Sequence, residues 1–234
     1  PPICYPHPMP NNHGAGFRAD IIFFDNDGTI FDSSTGVLEA VQEGFREFCA
    51  RHSLALPVPT VERIMELTGQ PNTVFFPSVL PPELRNMAPE LRETCLRREM
   101  QAIREHGRMF PGAEEMLTGL RARGKTLVMI THAGEEYLGA AAETFGYAKF
   151  FDSLYWVGRH NLWCKTEMIG HALVQHGMIY APLAAVGDKR ADVDAGHAFE
   201  GKSVFCAYGF GTAADREQAD YIINAPLELL DLVK

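Results

Sequence analysis

The stretch Ile21-Ile22-Phe23-Phe24-Asp25-Asn26-Asp27-Gly28-Thr29-Ile30 decides how the rest of the 234-residue chain is read. Four consecutive apolar residues, two of them β-branched, predict a short strand buried on both faces, and two carboxylates follow where that run ends. Side chains at i and i+2 of an extended segment share a side, so Asp25 and Asp27 converge on one small volume while Asn26 faces away. Gly28 supplies backbone freedom for a sharp exit, and Thr29 can hydrogen-bond the turn. A D-x-D-G run is also ordinary chemistry for an Asx-rich surface turn, so the stretch alone leaves both readings open.

Composition bounds the possibilities. Hydrophobic content of 46% and charged content of 22% are those of a folded globular protein, and the length suits one large domain or a core with a smaller insertion. The net charge of −9, with no run of Lys or Arg, argues against a nucleic-acid partner and points to small molecules. An acidic protein still takes an anionic substrate where a bound cation inverts the local field. The five cysteines, Cys4, Cys49, Cys95, Cys164 and Cys206, are scattered and form no C-x-x-C pair, which predicts reduced, mostly buried thiols. No apolar run approaches the roughly 18 residues of a membrane span, and the first residues lack a signal-peptide pattern. These features predict a cytoplasmic protein that does not contact a membrane.

Along the chain, residues 1–18 hold repeated Pro, His7 and His13 with no periodicity and read as an irregular tail. Beyond the opening strand, Val37, Leu38, Val41, Phe45, Phe48 and Cys49 recur at helical spacing, with Ser33, Ser34 or Thr35 as candidate caps. Asp32 and Ser33 are expected to cap this same helix. Thr60 is placed to cap a short helix through Leu67, residues 68–72 read as a loop, and 83–87 and 90–106 read as helix. No strand signal occurs between 33 and 109. From Phe110 the texture alternates: helix to Gly124, strand 126–130, helix to Gly146, strand 153–157, and a helix capped by Thr166. Then come strand 183–186, a helix holding Val193 and Ala195, and strands at 203–207 and 221–223. Alternating short apolar strands and helices predict an α/β fold with a parallel sheet covered on both faces, interrupted by an inserted helical lid. Asp25, Thr131 and Asp188 then stand at the carboxyl ends of three strands, where open α/β sheets bind ligands.

Taken in order, these residues resemble the four signature motifs of the haloacid dehalogenase superfamily, in the phosphatase branch similar to phosphoglycolate phosphatases. The first is Asp25-Asn26-Asp27-Gly28-Thr29-Ile30 with Asp32-Ser33 behind it, the second Thr131, the third Lys165, and the fourth Gly187-Asp188-Lys189-Arg190-Ala191-Asp192. Phe110-Pro111-Gly112 and Ala207-Tyr208-Gly209-Phe210-Gly211 are also similar to that branch. The resemblance implies a three-layer Rossmann-like core with a mainly parallel sheet, residues 19–32 and 110–234, plus an all-helical cap domain, residues 33–109. It implies a phosphatase that hydrolyses a small phosphorylated metabolite, phosphoglycolate-like or a sugar phosphate, through an aspartyl-phosphate. Asp25 would be the nucleophile and Asp27 the general acid and base. Mg²⁺ would be held by the Asp25 side chain, the Asp27 carbonyl and Asp188, and Thr131 would bond a phosphoryl oxygen. Lys165 would neutralise charge on Asp25 and the transferring group, and Asp192, one helical turn past Asp188, would orient Lys165 or a metal-bound water.

Three positions depart from the family pattern. Asn26 replaces an apolar residue and is expected to change packing only. His132 replaces a common Asn, and a histidine beside Thr131 is expected to reach substrate or nucleophile and titrate near neutrality. Thr166 replaces a proline and is expected to cap the helix after Lys165. A phosphomutase of the same fold and a non-catalytic binding or scaffold protein are the alternatives. Asp27 separates the phosphatase branch from dehalogenases, and a lid disfavours phosphoprotein substrates. Thr68, Gly69, Gln70 and Asn72 on the lid are the candidate specificity residues.

Overall fold

The apolar run that opens the reading becomes the central strand of the sheet. The computed structural model describes residues 16–234, so the candidate metal-binding histidines His7 and His13 lie outside the described residues. Strand β1 (Ile21–Phe24) is fully buried, and the helices α1 (Val37–Arg51), α2 (Val61–Leu67), α3 (Asn72–Ser78) and α4 (Ala88–His106) follow it before any further strand. The alternating part then runs α5 (Ala113–Ala122), β2 (Thr126–Thr131), α6 (Glu135–Phe145), β3 (Ser153–Trp156), α7 (Lys165–Gln175) and β4 (Leu183–Gly187). It ends with α8 (Arg190–His197), β5 (Lys202–Cys206), β6 (Tyr221–Ile223) and α9 (Glu228–Leu232). The sheet order is β3-β2-β1-β4-β5-β6, and all five pairings are parallel.

The period of two along β1 sorts its side chains into two cores. Ile22 and Phe24 join Met116, Leu120, Leu138 and Leu229 on the face covered by α5, α6 and α9. Ile21 and Phe23 join Met168, Ile169, Leu173 and Ala195 on the face covered by α7 and α8. Both faces are therefore closed to water, which is why the strand carries no polar residue until it ends. The chain reverses direction at β1, its neighbours being β2 on one side and β4 on the other, so a crevice opens at the carboxyl end of β1.

Helices α1 to α4 enclose a third cluster, including Leu38, Val41, Phe45, Phe48, Ile64, Phe76, Leu91 and Cys95. The segment leaves and rejoins the sheet through two adjacent connections: Asp32 N donates to Arg108 O at 3.0 Å, and Phe110 N donates to Ile30 O at 3.0 Å. Helix α1 crosses α4 closely enough that a Cβ on Gly44 would lie 2.7 Å from Cys95 Cα.

Four local expectations need correction. Phe17 is not part of a tail: it is buried and exchanges backbone bonds with the C-terminus, Phe17 N to Leu232 O at 2.7 Å and Lys234 N to Phe17 O at 2.9 Å. A lone aromatic between Gly and Arg carries no period, so only the fold reveals its burial. Helix α1 starts at Val37 behind a left-handed Gly36 (φ 94°), with no side-chain cap. Asp32 instead holds a turn, its Oδ1 accepting from Ser34 N at 3.1 Å, and Ser33 is buried in the crevice. Cys164, not Thr166, flanks α7, and Glu167 accepts from Cys164 N at 3.3 Å, leaving Thr166 in the first turn. The sequence pattern also passed over α3, bracketed by Pro71 and containing Pro77, and the short α9. Cys49, Cys95, Cys164 and Cys206 are free thiols, and only Cys164 is exposed.

The α1–α4 crossing yields a test. Gly44→Ala is expected to destabilise the protein by about 1–3 kcal/mol, because overpacking against the Cys95 backbone outweighs the ~1 kcal/mol gained in helix propensity. Urea unfolding of the two proteins measures it.

Candidate active site

Five of the seven expected site residues are placed by strand ends or the first turn of a helix. Asp25 continues β1, its N–H donating to Val186 O at 3.0 Å, so the carboxylate projects where the ladder stops. Thr131 is the last residue of β2, Asp188 follows β4 directly, and Lys165 and Asp192 stand in the first turns of α7 and α8. The Lys165 Nζ lies 2.9 Å from Asp25 Oδ2 and 2.7 Å from Asp192 Oδ1, with all three side chains at most 3% exposed. Asp192 Oδ2 accepts from Lys189 N at 3.1 Å, so both of its oxygens are occupied. Burial would strip the Lys165 proton, but Asp192 and Asp25 outweigh it and hold the ammonium above its ordinary pKa. Asp192 is pushed up to about 6 by burial, against the pull of Lys165.

Asp188 Oδ2 accepts from Phe210 N at 2.7 Å, while Asp188 Oδ1 is buried with no hydrogen-bond partner. Burial and then the Asp25 charge push this carboxyl up to about 8. Asp25, Asp188 and Asp192 present oxygens within 4.8 Å of one another. The loops leave that space open: a Cβ on Gly28 (φ 76°) would lie 2.4 Å from Asp188 Oδ2, and one on Gly209 would lie 2.6 Å from Asp188 Cβ. With Asp192 committed to Lys165 and Lys189, the oxygens left to a hard cation are those of Asp25 and Asp188. Such an all-oxygen, anionic donor set in a buried position suits Mg²⁺.

Asp27 does lie on the Asp25 side, in the same cavity, and Asn26 is buried behind it. The Tyr137 hydroxyl donates to Asp27 Oδ1 at 2.6 Å, Asn26 Nδ2 donates to Asp27 Oδ2 at 3.1 Å, and the Tyr147 hydroxyl donates to Asn26 Oδ1 at 2.7 Å. Asn26 therefore does more than alter packing: it links Asp27 to a buried tyrosine. Burial raises the Asp27 pKa, and the Asp25 charge adds to this, while the Tyr137 and Asn26 hydrogen bonds oppose it.

His132 departs from expectation. Its Nδ1 lies 2.8 Å from Gly69 O, and burial followed by the Lys165 charge lowers its pKa rather than leaving it near neutrality. The neutral ring donates Nδ1–H to the lid loop. Gly69 itself (φ 89°) packs on the Lys189 stem, where a Cβ would approach Lys189 Cγ to 3.1 Å. Thr68, Gly69, Gln70 and Asn72 all line the cavity over Asp25 and Asp27. So do Ser33, which the sequence assigned to a helix cap, and three residues it passed over, Arg92, Glu99 and Tyr137. Arg92, Leu96 and Glu99 repeat at i, i+4 and i+7 on one face of α4, a spacing that carries the signal but is masked by the surrounding Arg and Glu.

Residues 22–206 match the haloacid dehalogenase-like hydrolase family. The chain belongs to that family. Among the relatives of this haloacid dehalogenase-like hydrolase, the phosphoglycolate phosphatase of Chromobacterium violaceum is 30% identical over 221 residues, covering 91% of this chain and 96% of its own. That of Escherichia coli K12 is 28% identical over 235 residues, covering 89% and 90%. A haloacid dehalogenase-like family hydrolase from Streptococcus pneumoniae superposes with a TM-score of 0.78 at 25% identity, covering 91% of this chain and 97% of that one. Among the described residues no helix is long and apolar enough to cross a membrane.

Because the Tyr137 hydrogen bond favours the charged form of Asp27, Tyr137→Phe is expected to raise the Asp27 pKa further. Carbon-13 NMR titration of the Asp27 carboxyl in the metal-free protein reads the shift.

Proposed function

We propose that the chain is a Mg²⁺-dependent phosphatase that hydrolyses a small phosphomonoester through an aspartyl-phosphate on Asp25. The observation that carries this reading is a buried carboxylate, Asp25, held against one ammonium, beside a second carboxyl, Asp27, whose pKa is raised in the same cavity. The first group suits a nucleophile and the second an acid that is still able to give up a proton. The named relatives, phosphoglycolate phosphatases, agree with phosphomonoester chemistry.

In this reading Asp25 attacks phosphorus, and Asp27 gives its proton to the departing alcohol oxygen and afterwards takes one from the water that cleaves the acyl phosphate. Lys165 spreads its charge between Asp25 and the phosphoryl oxygens, while Asp192 keeps the ammonium in place. Thr131 offers its hydroxyl to a phosphoryl oxygen; Thr131 Oγ1 already accepts from Ala133 N at 3.1 Å, which leaves the hydroxyl proton free to be donated. Asp25, Asp188 and the Asp27 carbonyl would hold Mg²⁺, which supplies Lewis-acid neutralisation of the phosphate charge. Helices α1 to α4 serve as the cap domain, residues 33–109, over a core of 19–32 and 110–234. His132 joins the two by its bond to Gly69, so its part is to hold the lid loop beside the phosphate. The place of action is the cytoplasm and the partner a small phosphorylated metabolite.

Two outcomes test this. Phosphate release from a panel of phosphorylated metabolites with Mg²⁺ is expected, and Asp25→Asn is expected to abolish it; a panel that yields no turnover at any pH or with any divalent metal transfers the reading to a scaffold protein. Metal binding is expected to depend on pH through Asp188. Its carboxyl is protonated below about 8 and must ionise to bind, so Mg²⁺ affinity falls by about tenfold per pH unit below that value. Calorimetry at pH 7 in buffers of different ionisation enthalpy should show proton release on Mg²⁺ binding.

A further inference from the structure

The cavity has a second polar pole that the chemistry at phosphorus does not use. Glu99, on the face of α4 that also presents Arg92 and Leu96, lines the same cavity as Asp25 and Asp27, within electrostatic reach of Asp27 and Arg92, and engages in no side-chain hydrogen bond or ion pair with any described residue. Its setting is apolar: Val37, Leu38, Val41, Ile64, Phe75 and Phe76 wall the same space. The charged and titratable groups around it are Asp27, Tyr137 and Arg92. Arg92 lies on the same helix face two turns earlier, and its Nη2 is 3.5 Å from Glu136 Oε2.

We propose that Glu99 selects the alcohol portion of the substrate and that this portion carries an ammonium group, making the preferred class amino-alcohol phosphates. The inference rests on the phosphatase reading and deepens it. Glu99 is half-buried, and with no protein partner its carboxyl is left to pair with a ligand that enters this largely apolar cavity. An ammonium is the ligand group that pairs with it, and Phe75, Phe76 and Tyr137 surround the space with aromatic carbon that accommodates a compact organic cation. Burial, then the Asp27 charge, pushes the Glu99 carboxyl up to about 8, so pairing with an arriving cation releases its proton to water. A carboxylate-bearing alcohol such as glycolate meets the opposite field. Its charge would enter beside Asp27 and Glu99, opposed by Arg92, which already shares its charge with Glu136. Glycolate is also too short to cover the aliphatic and aromatic walls, so their burial would add nothing to its binding.

The test compares kcat/KM for O-phosphoethanolamine, propyl phosphate and phosphoglycolate in the Mg²⁺-loaded wild type and in Glu99→Gln and Glu99→Asp. The wild type is expected to prefer O-phosphoethanolamine over the other two by about tenfold or more, Glu99→Gln to bring its ratio to propyl phosphate close to one, and Glu99→Asp to retain the preference. A ratio unchanged in Glu99→Gln overturns the proposal. So does a wild type that prefers phosphoglycolate and keeps that preference in Glu99→Gln, since a neutral Glu99 would then be donating to a carboxylate. Calorimetric binding of the same three esters to Asp25→Asn, with and without Glu99→Gln, reads the selection without turnover. If no ester, p-nitrophenyl phosphate included, is hydrolysed, the phosphatase reading falls. The binding ratio then still upholds or overturns the role of Glu99.

Discussion

One buried cation governs the site. Lys165 lies between Asp25 and Asp192 at 2.9 and 2.7 Å with all three side chains almost wholly buried. Two carboxylates brought so close repel each other, and the ammonium between them offsets that repulsion. Removing one member of such a buried set generally costs about 3–5 kcal/mol, because the others are left uncompensated. The set is also unbalanced by one negative charge even before Asp188 is counted. That surplus and the unpartnered Asp188 Oδ1 are what the proposed divalent cation would answer.

The sheet makes this arrangement rigid. Asp25, Thr131 and Asp188 come from adjacent parallel strands, so their separation is fixed by ladders packed on both faces by helices. Lys165 and Asp192 sit in first helical turns, and Glu167 and Asp192 each reach back to the backbone at the start of their helix. The other half of the cavity is built differently. Its walls come from α1, α2, α3 and α4, which have their own hydrophobic cluster and meet the strand ends through loop contacts such as His132 to Gly69. In the proposed phosphatase the sheet holds the reacting groups, and recognition falls to a body that can vary without disturbing them.

Much of this was legible in the chain because it is encoded locally. An unbroken apolar run reads as a buried strand, and a polar residue directly after such a run reads as a strand-end group, which is how Asp25, Thr131 and Asp188 were found. The helix limits at Gly124 and Gly146 followed from left-handed glycines, φ 73° and 66°. What failed was whatever depends on a distant partner. Phe17 is core only because the C-terminus returns beside it; Thr166 is the local exception, displaced from the cap position by Cys164, whose N–H donates to Glu167. His132 loses its near-neutral titration because Lys165 and the lid close over it, and no spacing shows that.

The sequence by itself determined the order of elements, the parallel α/β class and the polar groups that stand at the strand ends. Each of these follows from side-chain period and from residue type at strand ends. The tertiary structure alone decided the protonation landscape and the opposite end of the cavity. Burial raises the Asp27 and Asp192 carboxyls, and the contacts of Asp27 with Tyr137 and of Asp192 with Lys165 oppose it. The packing of α4 over the strand ends turns Arg92 and Glu99, two charged residues on a helix rich in Arg and Glu, into walls of the site. A helical face has a known period but no known direction until it packs, and that is why those two residues were invisible in the chain and evident in the fold.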